Sequence, residues 1–223
     1  MIVYPFSFIK QSIPPSVTYV SYSGNNTTQT TYTFNGISIG GPGLIGVAIH
    51  SESNATRTIS SVSINGTSAT IASQITAGPG VGAFTIAGVA YLRITGGTTA
   101  NVSITFSAAV SRAAIGVWRI QNNISDTPIQ TQTNSANSGT GLTLNFTSLT
   151  TNNVAVCANT VGIESASVSW TNATVRYNQA ISTGINTRVS GADFTTTSSG
   201  NRTVSTSNAN STQPLALVGV VWN

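Results

Sequence analysis

His50 is the single histidine of the chain, and Glu52, Asp126, Glu164 and Asp193 are its only acids. With the lone thiol of Cys157, these are the groups that could exchange a proton or bind a metal near neutral pH. A glycosidase needs two carboxylates facing each other across a cleft, and the four acids fall at unrelated places. A serine hydrolase needs a strained elbow that exposes its nucleophile, and none is read here. A structural zinc site takes four ligands, whereas His50 and Cys157 offer two. Calcium asks for several carboxylates. Gly40-Gly41-Pro42-Gly43 is glycine-rich, but no helix follows it to hold a phosphate. These residues imply no catalysis, no cofactor and no metal. Binding through aromatics remains: Trp170, with Tyr177 and Arg188 in the same stretch, could stack on a surface glycan and bond its hydroxyls.

Strands must position these residues. β-Branched residues dominate, polar and apolar positions alternate, and no stretch shows the 3.6-residue period of a helix. The strand pattern occurs twice. Ser61-Val62-Ser63-Ile64-Asn65-Gly66 recurs as Ser167-Val168-Ser169-Trp170-Thr171-Asn172, 106 residues on. Val47-Ala48-Ile49 aligns with Val154-Ala155-Val156 at an offset of 107, which gives His50 and Cys157 the same slot. Each copy closes alike, with Gly116-Val117-Trp118 and Gly219-Val220-Val221-Trp222. Asn65-Gly66 predicts a type I′ hairpin. Turns spaced by about 8–12 residues give about seven strands per copy, as in an immunoglobulin-like or jelly-roll sandwich.

The expected fold is therefore all-β: two tandem β-sandwich domains from an internal duplication, with an N-terminal extended arm. The arm covers residues 1–17, the first sandwich 18–121, a polar linker 122–139 and the second sandwich 140–223. In the arm, Tyr4, Phe6, Phe8 and Ile9 precede Pro14-Pro15, a pair that favours a stiff, extended connection. Such an arm suits docking on a neighbouring subunit or a larger particle, and equally suits adding a strand to, or packing against, its own first sandwich.

Composition narrows the classes further. Ser, Thr, Asn and Gly number 30, 35, 21 and 21, nearly half of 223 residues, while charged residues are 5 % against about a quarter in ordinary domains. A coiled coil needs those missing charges, and a hydrophobic share of 39 % argues against disorder. No apolar run reaches the ~18 residues of a membrane helix, so no membrane partner is expected. The net charge of +4 comes from cations spread singly, which implies no nucleic-acid partner. Cys157 is alone, so no intrachain disulfide forms. The first residues lack a basic n-region and a small-residue cleavage site, so no signal peptide is read and synthesis in a cytoplasm is expected. One lysine leaves little protection for edge strands, which favours symmetric assembly.

The run Val17-Thr18-Tyr19-Val20, Thr31-Tyr32-Thr33-Phe34-Asn35-Gly36-Ile37-Ser38-Ile39-Gly40, Leu44 to Ile49 and Ser61 to Gly66 resembles small β-rich virion proteins of tailed bacteriophages. The closing Ile115-Gly116-Val117-Trp118 and the apolar start with Phe6-Ser7-Phe8 share the likeness, which covers most of the first copy and less of the second. It implies a non-enzymatic structural protein on the virion surface, as capsid decoration or as a tail or fibre component. Other virion proteins would be its partners, in a homo-oligomer that is a trimer by analogy, with Tyr4, Phe6, Phe8 and Ile9 as anchor. The alternative is a carbohydrate-binding adhesin or receptor-binding module using Trp170, Tyr177 and Arg188.

Overall fold

The computed structural model describes residues 13–78, 83–162, 167–181, 187–209 and 212–223. Tyr4, Phe6, Phe8, Ile9 and Glu164 lie outside the described residues. Every regular element among those described is a strand. The first half holds β1 (Ser16–Asn25), β2 (Gln29–Ser38), β3 (Gly43–Ser53), β4 (Ile59–Ile64), β5 (Thr67–Ala77), β6 (Phe84–Ile94), β7 (Thr99–Val110) and β8 (Arg112–Gln121). The second holds β9 (Gln130–Ala136), β10 (Gly141–Leu149), β11 (Val154–Val161), β12 (Ser169–Thr171), β13 (Thr174–Ala180), β14 (Arg188–Thr195), β15 (Gly200–Ser207) and β16 (Leu215–Trp222).

The halves repeat one topology. The first sheet runs β1-β8-β3-β6-β5-β4-β7-β2; the second half runs β13-β14-β11-β16-β9 in one sheet and β10-β15-β12 in another. Adding eight to each label of the first half reproduces every pairing of the second except β4 with β5. There β5 bends from one layer to the other, pairing with β4 up to Ala69 and with β6 from Thr70. Asn65 and Gly66 make the hairpin with φ of 50° and 77°, the left-handed pair of a type I′ turn. Its counterpart places β12 and β13 in different sheets, with Asn172 at φ 62° between them.

Among the described residues each half has eight strands. β9 lies within 122–139, the stretch expected to be a polar linker, while β1 begins at Ser16 and lies mostly within the expected first sandwich. β1 largely alternates polar and apolar residues, β9 is polar at all but Ala136, and each pairs with the last strand of its own half. They also close a seam. Ser21 Oγ donates to Ser38 O over 2.8 Å, and Asn134 Nδ2 donates to Thr143 O over 2.9 Å, so side chains bridge β1 to β2 and β9 to β10. The first sheet is thus nearly a barrel, and these edges are guarded by seam contacts rather than by lysines.

Three apolar layers result. Tyr32, Ile49, Ile64, Ile104 and Phe106 fill the first half, and Leu144, Phe146, Cys157 and Val204 the second. A third core, with Leu44, Ala48, Trp118, Val156, Val218 and Trp222, lies between the halves. Strands β3, β11 and β16 are covered on both faces and buried at every residue, which is why Leu44 to Ile49, Val154 to Ala158 and Leu215 to Trp222 read as continuous apolar runs. The outer faces carry the hydroxyls. Thr31 meets Thr105 at 3.1 Å and Thr33 meets Ser103 at 3.2 Å across β2 and β7.

Strand direction also corrects the repeat alignment. Val47 and Ile49 point into the first half, whereas Val154 and Val156 point into the layer between halves. Trp118 pairs with Gly46 and Trp222 with Val154, so the true offset in β3 and β11 is 108. A one-residue slip exchanges the faces of a strand. His50 therefore corresponds to Ala158, and Cys157 to Ile49.

Candidate functional site

Several ionisable side chains among the described residues converge on the layer between the halves. His50, fully buried on β3, meets Thr160 Oγ1 through Nδ1 at 2.9 Å and the Tyr177 hydroxyl through Nε2 at 2.5 Å. Thr160 Oγ1 also reaches Ile86 O at 2.9 Å, and a carbonyl can only accept. The one hydroxyl proton of Thr160 is thus spent on Ile86, so Nδ1 of His50 carries the ring proton and Nε2 accepts from Tyr177. Burial fixes these states: it pushes the imidazole down to about 3 and the Tyr177 phenol well above its ordinary value.

Two further links cross the same layer. Trp118 Nε1 donates to Asp193 Oδ2 over 2.7 Å, and Arg176 holds both oxygens of that carboxylate at 2.7 and 2.9 Å. Thr187 Oγ1 donates to Glu52, which also faces Arg112 at 3.9 Å. Desolvation raises the Glu52 carboxyl, with Arg112 opposing it. Tyr177 itself lies against two glycines. A Cβ on Gly116 or Gly191 would stand 2.2 or 2.4 Å from its ring. His50, Tyr177 and Asp193 are buried and paired, and they tie the two halves together.

The sequence does contain Gly36-Ile37-Ser38-Ile39-Gly40, with the spacing of a hydrolase elbow that a reading by composition passes over. Ser38 ends β2, is exposed and is followed by β3 rather than by a helix, while His50 is sealed between the halves. Nothing there assembles a nucleophile with its base.

The glycan trio is divided. Trp170 on β12 is half-buried against the second-half core and donates from Nε1 to Ser190 Oγ over 3.0 Å. Tyr177 points into the layer between halves and is 5 % exposed. Arg188 on β14 is half-buried and donates to Asn178 O over 3.3 Å. Trp170 and Tyr177 therefore belong to different cores rather than to one exposed face. Among the described residues, no three His, Cys, Asp or Glu lie together as a metal site would require.

An open feature lies where β1 is entered. A groove of about 350 Å³ is lined by Ile13, Pro14, Pro15, Ile124, Asn152 and Asn223. Ile13 is 71 % and Ile124 83 % exposed, two of the four large apolar side chains so placed among the described residues. The turn bearing Ile124 is fastened on several sides. Ile124 N donates to Asn223 O, Trp222 Nε1 to Asp126 O, and Asn122 Nδ2 to Pro14 O. Arg93 grips both oxygens of Asp126, whose carboxyl those bonds hold below its ordinary value. Ile124 is held out to solvent by a built turn. Sequence reading missed it because one isoleucine in a polar segment carries no pattern. No protein-family model matches the chain, and the curated proteins contain none similar to it.

Proposed function

We propose that the chain is a non-enzymatic bacteriophage virion structural protein. It is displayed on the particle surface, as capsid decoration or as a tail or fibre component, and attached through its apolar N-terminal arm. In this reading the two halves are tandem sandwiches of one duplicated unit, and Tyr4, Phe6, Phe8 and Ile9 are the anchor. The observation that carries it is the use made of the chemical groups. His50, Tyr177 and Asp193 are spent on joining the halves, while exposed apolar residues gather at the groove where residue 13 begins the described chain. Packing, not turnover, is what such a distribution serves. The division of Trp170 and Tyr177 between two cores leaves the glycan-binding alternative without a shared surface.

The test is attachment. Deleting residues 1–12 is expected to abolish binding to purified particles while the circular-dichroism spectrum and cooperative melting persist. Full binding by the deleted protein would refute the anchor. Saturable glycan binding that disappears in Trp170→Ala would put the adhesin reading in its place.

A further inference from the structure

The groove at Ile13 and Ile124 has an apolar rim and lies beside an apolar stretch of the same chain. Twelve residues precede Ile13, and seven of the eight from Ile2 to Ile9 are apolar or aromatic if Pro5 is included. Exposed isoleucines at a fixed groove, next to a run that cannot remain in water cheaply, make a complementary pair. The volume of about 350 Å³ falls at the small end of ligand-sized clefts, about 300–1,000 Å³, enough for aromatic side chains.

From this geometry we infer that the groove receives residues 2–9 of a second copy of the chain. Two features favour the neighbour over the run's own molecule. Only Lys10, Gln11 and Ser12 separate the run from Ile13, and they include no glycine, proline, asparagine or aspartate to build a tight reversal. Each of Ile13 and Pro14 precedes a proline, which disfavours the helical region and keeps the backbone extended there. The root of the run is itself part of the groove wall, through Ile13, Pro14 and Pro15. Two copies meeting groove to groove can therefore exchange their runs reciprocally about a two-fold axis. Each groove is filled in the free dimer, and attachment to a particle draws on the same runs in place of the exchange. The binding turn is prepared beforehand by the Asn223, Trp222 and Arg93 contacts, so little ordering remains for the groove side.

This inference rests on the reading of residues 1–12 as a docking arm, but its test needs no virion, so the two can fail separately. Sedimentation of the purified full chain at micromolar concentration is expected to give twice the 22.8 kDa chain mass. Deleting residues 1–9, or combining Ile13→Asn with Ile124→Asn, is expected to give the single-chain mass with the melt still cooperative. Both isoleucines are exposed, so these changes leave the cores intact. A Phe6→Cys, Ile124→Cys protein should form, on mild oxidation, a disulfide between chains that runs at the dimer mass on a non-reducing gel. Cys157 is buried and does not compete. A full-length monomer, a dimer indifferent to both isoleucines, or a disulfide closed within one chain would each overturn the exchange. Particle attachment by the double isoleucine variant, measured in parallel, judges the virion reading on its own.

Discussion

The Tyr177 hydroxyl donates to Nε2 of His50 over 2.5 Å, joining residues 127 positions apart across the layer where the two halves meet. Tyr177→Phe leaves that nitrogen buried without a donor. An unsatisfied buried polar group costs about 1–3 kcal/mol, so the urea midpoint is expected to fall accordingly. Tyr22→Phe is the contrast. The Tyr22 hydroxyl is buried without a hydrogen-bond partner, so its removal is expected to leave stability unchanged or raise it.

The same histidine sets a pH response. Its folded value of about 3 lies below the ordinary 6.5, so the unfolded chain binds the proton more readily. The stabilisation is complete above pH 6.5 and is lost progressively as pH falls towards 3. Its full size is on the order of 5 kcal/mol by linkage. Comparing unfolding free energies of the wild type and His50→Gln across this window should show a steeper acid loss in the wild type. Parallel curves would contradict it.

Gly116→Ala should destabilise through the Tyr177 ring, 2.2 Å from the added carbon. Overpacking of this kind costs about 1–3 kcal/mol. Gly96→Ala, with no heavy atom within 4 Å of the new Cβ, is expected to change little, as thermal melts of the pair can show.

Arg176→Met strips Asp193 of its cation and leaves Trp118 as its remaining charge-stabilising donor. Arg176 is itself 37 % exposed, so the loss should fall below the ~3–5 kcal/mol of a fully buried pair. A drop of about 1–3 kcal/mol in chemical denaturation is expected.

Cys157 gives a reporter. Burial pushes its thiol up to about 12, and it is packed in the second-half core. A thiol reagent at neutral pH should label it only as fast as the second half opens, and immediately in denaturant. Fast labelling of the native protein would show that this core is looser than described.

Much of the β-architecture was legible in the chain because strand burial has a period of two. Thr31 to Phe34, Phe84 to Tyr91 and Leu215 to Trp222 announce strands by alternation or by unbroken apolar runs, and Asn65-Gly66 announces its turn. The repeated strand order was legible too, since Trp118 and Trp222 stand on the corresponding strands β8 and β16. β9 was not, because a strand that is polar at six of its seven residues and lies beside turns resembles a connection.

By itself, the sequence determined the class: all-β, with a strand pattern that occurs twice, and too poor in acids and histidine to suggest a reactive cluster. It could not determine which face each buried strand turns to which neighbour. That depends on a single-residue register between strands over a hundred positions apart, and both choices bury the same apolar atoms. Only the tertiary structure decided that His50 meets Tyr177 between the halves and Cys157 does not. It also decided that Ile124, one isoleucine among polar neighbours, stands exposed beside Ile13.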